Sequence, residues 1–419
     1  MKERIYCCID LKSFFASVEC VERGLDPFAV NLVVADPDRD RGTICLAVTP
    51  AMKALGVRNR CRVFEIPPHI SYIMAKPRMR LYVQKSEQIR KIYGQYLCDD
   101  DVYAYSIDEC FLDITDYVKL YGKAPIELAR FLLDEIWRQT GLTAASGVGT
   151  NLFLAKVALD IEAKHAKDGI GFLDEARFRE RMWHHRPITD IWNVGQGTAK
   201  RLARFGIYDL YGVAHTDPAL LYREFGVNAE YLIDHAHGRE PCTIADIRAY
   251  VPRTTSLSRS QILFEDYTAS DARLIVREMA DALCLELVEK GMATDSISLT
   301  VGYSKDMARP SAATRRLSEC TNSQKRLVQA FEELYEEIVR PSYPVRRIGI
   351  GLLNLVSEEN VTISFFTDTE ADEREQELLH TVIDLHHKYG KNAVLKGMSL
   401  QKKATARERN RMIGGHNGE

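Results

Sequence analysis

Val102-Tyr103-Ala104-Tyr105-Ser106-Ile107-Asp108-Glu109-Cys110-Phe111-Leu112-Asp113-Ile114 sets two apolar runs on either side of a four-residue turn. Short runs rich in β-branched and aromatic residues, broken by a polar turn, read as two strands of a hairpin. The turn, Ser106 to Glu109, closes on adjacent acids. Another acid stands in a similar place near the start of the chain, where Ile5-Tyr6-Cys7-Cys8-Ile9 has the pattern of a buried strand and Asp10 ends it. Singly, an acid at a strand end is a turn or cap residue. Nothing in the sequence prevents three adjacent strands from bringing Asp10, Asp108 and Glu109 together. Such a set offers the oxygen donors that Mg²⁺ takes, and could hold two ions about 3.5–4 Å apart.

Working outward, Ser13 to Glu19 has helix-forming character with Ser13 as N-cap. Strand-like runs follow at 30–35 and 43–48, then a short helix from Pro50 to Leu55 that Gly56 stops. Residues 82–97 and 125–140 read as helices. Thr143 to Gly149 is a strand of small residues, and 151–164 is a further helix. Strands and helices alternating this way describe an α+β domain. From about 166 the pattern turns helical with short loops. A second α+β unit runs from 241 to about 356, with long helices at 271–290 and 323–340 and strands at 296–301 and 347–353. The remainder has one helix near 373–389 and a polar, glycine-containing end expected to be mobile.

The chain has 419 residues, 46% of them apolar and 27% charged, with a net charge of −3. That material suits two to four soluble domains. No apolar run is long enough to span a membrane, and the N-terminus lacks a signal-peptide pattern, so a cytoplasmic protein is expected. The ten cysteines include no C-x-x-C pair and read as reduced, small apolar residues. The charge total neither favours nor excludes a nucleic-acid partner; its distribution matters more. Residues 247–264 contain Arg248, Arg253 and Arg259 and no acid, and residues 388–419 carry eight Lys/Arg against two acids.

Three segments resemble one family. Asp10-Leu11-Lys12-Ser13-Phe14-Phe15-Ala16-Ser17-Val18-Glu19 is similar to the first motif of Y-family translesion DNA polymerases. Tyr105 to Asp113 resembles their Ser-Ile-Asp-Glu motif, and Ser146 to Lys156 their third palm segment. The order and separation agree, and the likeness runs from about residue 3 to about 355. Thr49 to Val57 and Arg409 to His416 look closest to the UmuC-like branch of Gram-positive bacteria and their mobile elements.

The resemblance implies an α+β right-hand polymerase: palm at 1–25 and 76–165, fingers at 26–75, a helical thumb with a helix-hairpin-helix at 166–240, a little finger at 241–356, and a tail at 357–419. It implies low-fidelity, template-directed transfer of a nucleotide from a dNTP to a primer 3′-hydroxyl, in DNA repair and the SOS response. Asp10 and Asp108 would bridge two Mg²⁺ ions, Glu109 would hold the primer-side ion, and the Leu11 carbonyl would add an oxygen. Phe15 matches the steric gate against a ribonucleotide's 2′-hydroxyl. The amides of Phe14 and Phe15 open a helix and suit phosphate oxygens. Lys53 and Lys164 match triphosphate-binding lysines, with Lys167 a competitor for the second. Two positions depart from the family: Pro50 stands where a Tyr is frequent, and Lys12, a cation beside Asp10, should point away from the metals.

Val194-Gly195-Gln196-Gly197-Thr198 looks like the helix-hairpin-helix turn, with Gly195, Gly197 and Thr198 placed to meet a phosphate without reading sequence. Residues 246–356 hold 15 basic and 15 acidic residues. The acids fall mainly in the helices, whereas Arg248, Arg253, Arg259, Arg315 and Arg316 fall in strands and loops. A basic sheet face against DNA and an acidic helical back follow as the expectation. Thr362-Ile363-Ser364-Phe365-Phe366 stands where relatives carry a clamp-binding peptide, so Ile363, Phe365 and Phe366 are the candidate anchors for a sliding clamp. The partners expected are primer–template DNA and dNTP, with the clamp and accessory subunits as further candidates around a monomer. The competing readings are a catalytically inactive DNA-binding accessory protein of the same fold and a palm-type nucleotidyl cyclase.

Overall fold

The strand that carries Asp10 is the middle strand of a five-stranded sheet, in a computed structural model that describes residues 4–38, 41–252, 255–305, 307–361 and 369–418. From β1 (Tyr6–Leu11) the chain enters α1 (Phe14–Val21). It then forms a small sheet of β2 (Leu32–Val34), β3 (Ala47–Val48) and β4 (Ile73–Ala75), with α2 (Pro50–Ala54) between the last two. It returns through α3 (Met79–Tyr93) to the hairpin of β5 (Val102–Ala104) and β6 (Glu109–Asp113), followed by α4 (Thr115–Leu120) and α5 (Pro125–Thr140). β7 (Ala144–Gly149), α6 (Leu152–Val157) and β8 (Ile170–Leu173) complete the sheet, in the order β5-β6-β1-β7-β8. β1 is antiparallel to both β6 and β7.

The two-residue period of β1 explains its composition. Cys7, Ile9 and Leu11 enter the core shared with α1, α3 and α5, while Tyr6 and Cys8 enter a second core under α6. Pro125 at the first position and Gly141 just past the end, at φ 68°, bound α5, whose Leu128, Leu132 and Ile136 form its buried stripe. The helix expected over 151–164 comes in two parts. After α6 the backbone widens into a π-helical turn, Ala158–Ala163, with the Lys164 N–H donating to the Leu159 carbonyl at 3.1 Å.

The same compact unit, residues 1–250 with the last three residues of the chain, holds six more α-helices among its described residues. These are α7 (Glu175–Met182), α8 (Gln196–Ala203), α9 (Leu210–Ala214), α10 (Pro218–Phe225), α11 (Asn228–Ala236) and α12 (Ile244–Ala249). Asp174, Asp209, Asp217 and Thr243 each accept an amide of the helix that follows, which is why these short helices start where they do. Phe178, Leu202 and Leu221 lie in their shared core.

The second unit, residues 251–416, is a five-stranded antiparallel sheet covered on one face by helices, four long strands and a two-residue strand, Val356–Ser357, that pairs with Met292 and Ala293. Its elements are β9 (Leu257–Tyr267), α13 (Ala269–Glu289), β10 (Met292–Tyr303), β11 (Ser311–Thr321), α14 (Gln324–Ile338) and β12 (Val345–Leu353), in the sheet order β11-β10-β12-β9. The chain end departs from the mobile tail expected of it. α15 (Thr369–Tyr389) buries Leu379 and Ile383 against Val288 of α13. Buried Glu278 of α13 then accepts the amides of Thr405 and Ala406 at 2.8 and 3.1 Å. Apolar burial and the hydrogen bonds accepted by one oxygen of a buried carboxylate hold this segment, neither of which its polar composition advertised. No helix among the described residues is long and apolar enough to cross a membrane.

Candidate active site

Antiparallel register brings the three acids together. Asp10 of β1 lies directly opposite Glu109 of β6, and the Leu11 N–H donates to the Asp108 carbonyl at 3.0 Å. Asp108 itself sits in the turn, where the Ser106 hydroxyl donates to its carboxylate at 2.8 Å. Asp10 and Glu109 share strand parity with Cys8 and Phe111, so both point to the face that α6 covers.

That face carries a row of charges. Lys156, Asp160 and Lys164 follow one another at intervals of four residues across α6 and the π-helical turn. Buried Lys156 forms an ion pair with Glu109 and another with Asp160 at 2.9 Å. Lys164 reaches Asp10 at 2.9 Å and Asp160 at 2.8 Å. An α turn carries the residue four positions on slightly past a full turn and a wider π turn leaves it slightly short, so along this row the two offsets oppose each other and the charges stay nearly in line. The helix can lie this close because β7 and β8 lack side chains beneath it. A Cβ on Gly147 would stand 2.1 Å from the Ala155 carbonyl oxygen, one on Gly149 2.3 Å from the Ala155 nitrogen, and one on Gly171 2.6 Å from the Ala158 carbonyl oxygen.

The electrostatics follow the geometry. Burial pushes the Asp10 carboxyl above the ordinary range; Lys164 opposes that shift, and Asp108 and Glu109 add to it. Burial lowers the Lys53 ammonium, which also feels Asp10 and Lys164, so it belongs to the same electrostatic neighbourhood. Lys164 is raised: its carboxylate partners outweigh its burial. The Cys8 thiol, beneath Glu109, donates to its carboxylate at 3.2 Å.

Among the described residues, no three ligands already converge as a closed metal site. The donor set nonetheless fits a hard divalent cation. It consists of carboxylates with no imidazole, and ammonium groups stand at the places where positive charge is wanted. Phe14 is buried in the core, whereas the Phe15 ring lies half-buried against Tyr82 with centroids 4.4 Å apart. Pro50 starts α2, whose last turn holds Lys53. The Lys12 ammonium lies 3.4 Å from the Cβ position of Gly169. Lys156 and Asp160 escaped sequence reasoning. The available signal was charge at regular spacing on a helix otherwise apolar and buried.

The candidate DNA contacts divide. Gly195 caps α8, and a Cβ on Gly195 or Gly197 would meet nothing, so this turn, with half-buried Thr198, is open to a ligand. The basic sheet face did not form as expected. Arg248 lies in α12, where its guanidinium donates to the Asp99 and Val102 carbonyls. Arg259 and Arg315 share parity with core residues on the helix-covered face, and pair with Glu286 of α13 and with Glu333 and Glu337 of α14. Among the described members of this group, only Arg316 lies on the open face, 82% exposed beside Asp295. That face is a floor of small residues. One row across the sheet reads Ser258, Gly351, Ser298, Thr314, and the next reads Ser260, Gly349, Thr300, Ala312. Arg253 and the clamp-peptide candidates Ile363, Phe365 and Phe366 lie outside the described residues.

The sheet thus gathers carboxylates from a central strand and a hairpin turn, with lysines over them. Two family models match the chain: the impB/mucB/samB family over residues 9–160 and the C-terminal domain of that family over residues 254–365. The chain is 31% identical to the putative UV-damage repair protein UvrX of Bacillus subtilis, over 98% of this chain and 96% of that one. It is 31% identical to DNA polymerase IV 2 of the same organism, over 99% of each. Among solved structures, a Y-family DNA polymerase chimera, Dbh-Dpo4(243-245)-Dbh, shares the fold at a TM-score of 0.65 with 22% identity, over 86% of this chain and all of that one. The chain belongs to the impB/mucB/samB family, the Y-family translesion DNA polymerases, in the branch represented by the Bacillus relatives.

Proposed function

We propose that the protein is a low-fidelity, template-directed DNA polymerase that carries out translesion synthesis during DNA repair and the SOS response, with Asp10, Asp108 and Glu109 as its catalytic carboxylates. The observation that carries this reading is the register of β1 and β6, which sets Asp10 opposite Glu109 beside the Asp108 turn. Asp10, Asp108, Glu109 and the Leu11 carbonyl would hold two Mg²⁺ ions. When bound, these ions activate the primer 3′-hydroxyl and neutralise charge on the departing pyrophosphate. Lys53 and Lys164 bind the triphosphate, along with the free amides at the start of α1. Lys164 then exchanges its bond with Asp10 for one with phosphate. Lys156 and Asp160 hold Glu109 and Lys164 in place, and Phe15 excludes a 2′-hydroxyl.

The units take the roles implied for palm, fingers, thumb and little finger within residues 1–356. The Gly195–Thr198 turn grips one phosphate. The floor of the second sheet, with Arg316 and Arg347 on its open side, meets the duplex backbone through hydroxyls, peptide N–H groups and two guanidiniums. Ile363, Phe365 and Phe366 dock on a sliding clamp, and the polymerase itself works as a monomer in the cytoplasm. The test is extension of a primer on intact and damaged templates, with Mg²⁺ and dNTP, with and without clamp. Template-dependent extension through the lesion supports the proposal. Turnover of free nucleoside triphosphate without primed DNA contradicts it and favours a cyclase.

A further inference from the structure

Behind the Phe15 ring lies a charge cluster, built around a buried carboxylate, that the polymerase reading does not use. α1 presents Phe15, Glu19 and, just past its end, Arg23 at intervals of four residues, and α3 with its N-cap presents Arg78 and Tyr82 at the same interval. The two rows meet. The Phe15 and Tyr82 rings stack at 4.4 Å and 15°. The Tyr82 hydroxyl donates to Glu19 Oε1 at 2.7 Å. Arg78 donates through Nε and Nη2 to the two Glu19 oxygens at 2.9 and 2.8 Å, and Arg23 donates to one of them as well. Both Glu19 and Tyr82 are fully buried.

A fully buried carboxylate is costly unless its hydrogen bonds are satisfied, and a two-point guanidinium fixes its plane as well as its position. The orientation of that carboxylate fixes where the Tyr82 hydroxyl rests. The Tyr82 ring, so tethered, is the surface against which the half-buried Phe15 ring lies flat. A ring that screens a sugar discriminates only if it cannot rotate aside, because a 2′-hydroxyl adds little more than one oxygen atom to the space required.

We propose that Tyr82, anchored by Glu19 and Arg78, is the positioning residue that holds the Phe15 ring and thereby sets discrimination between deoxyribo- and ribonucleotides. This rests on the reading of Phe15 as the steric gate. The experiment compares kcat/KM for a dNTP and its matching rNTP in wild type, Phe15→Ala, Tyr82→Phe, Tyr82→Leu and Glu19→Gln. Phe15→Ala should collapse the ratio. Tyr82→Phe keeps the ring and removes the tether. It should lower the ratio about tenfold, the fold-change that one hydrogen bond to a charged group represents, with dNTP use near wild type. Tyr82→Leu should lower it further, and Glu19→Gln should fall between wild type and Tyr82→Leu. If Phe15→Ala leaves the ratio unchanged, the gate reading fails and this inference with it. If Phe15→Ala relaxes the ratio but both Tyr82 variants keep it, or lose dNTP and rNTP use in equal proportion, the inference alone is overturned. The isosteric Tyr82→Phe keeps the test open if Tyr82→Leu does not fold.

Discussion

Lys164 Nζ stands 2.9 Å from Asp10 Oδ2, although the two residues lie more than 150 positions apart and on different elements. The contact depends on three features: Asp10 lies next to the last residue of β1, the π turn carries Lys164 over that end, and glycines on β7 and β8 let the helix approach. Lys164 is the counter-ion of an acid and, in the proposed function, a ligand of the incoming triphosphate.

Replacing Lys164 should therefore act mainly on nucleotide binding. Lys164→Met should lower kcat/KM for dNTP by about 100-fold, roughly two charge-assisted hydrogen bonds, with most of the loss in KM. Steady-state kinetics on a single primer–template would check it. A pure kcat effect would mean that Lys164 acts on the chemical step instead.

The close packing of helix on sheet gives a stability prediction. Gly147→Ala would place a methyl 2.1 Å from the Ala155 carbonyl oxygen and the Leu159 nitrogen, both backbone atoms. Overpacking against backbone should cost at least about 3 kcal/mol and displace Lys156 and Lys164. Denaturant unfolding should register the loss, and extension activity should fall with it. Gly195→Ala, where a Cβ meets nothing, is the control and should leave stability unchanged.

How far the sequence could be read depends on the distance over which each feature is encoded. β1, the hairpin and the three acids were legible because strand period and turn chemistry are local. Lys156 and Asp160 were not, since charges four apart on a helix are commonplace and nothing local announces a π turn. The orientation of Arg259 was within reach: it shares parity with Leu257 and Leu263, which marks the helix-covered face. The Glu19–Arg78 pair spans 59 positions, and no local pattern connects its ends.

Glu19 also predicts a pH dependence of stability. Burial alone would raise its carboxyl, but the bonds from Arg78, Tyr82 and Arg23 outweigh burial and hold it below the ordinary value of 4.5. A lowered folded value means stability that is present above 4.5 and lost as pH falls through the folded value. The deficit of Glu19→Gln relative to wild type should thus be largest at neutral pH and shrink in acid. Urea unfolding across that range would check it; a deficit independent of pH would remove the charge from the account.

The open sheet face makes a third kind of prediction. Arg316→Ala should weaken DNA binding about equally for all sequences and reduce the salt slope of log K by about one. Arg315→Ala, whose partners are Glu333 and Glu337, should change the slope far less. Fluorescence anisotropy at several salt concentrations would separate the two.

The central claim is that Asp10, Asp108 and Glu109 form the nucleotidyl-transfer centre. Single-turnover primer extension by Asp108→Asn, with folding and DNA affinity verified, tests it most directly. The account predicts that binding of primed DNA survives while the extension rate with Mg²⁺ falls by at least about 1000-fold, the loss of roughly 4 kcal/mol of transition-state stabilisation. Extension at the wild-type rate would contradict it and place the catalytic carboxylates elsewhere.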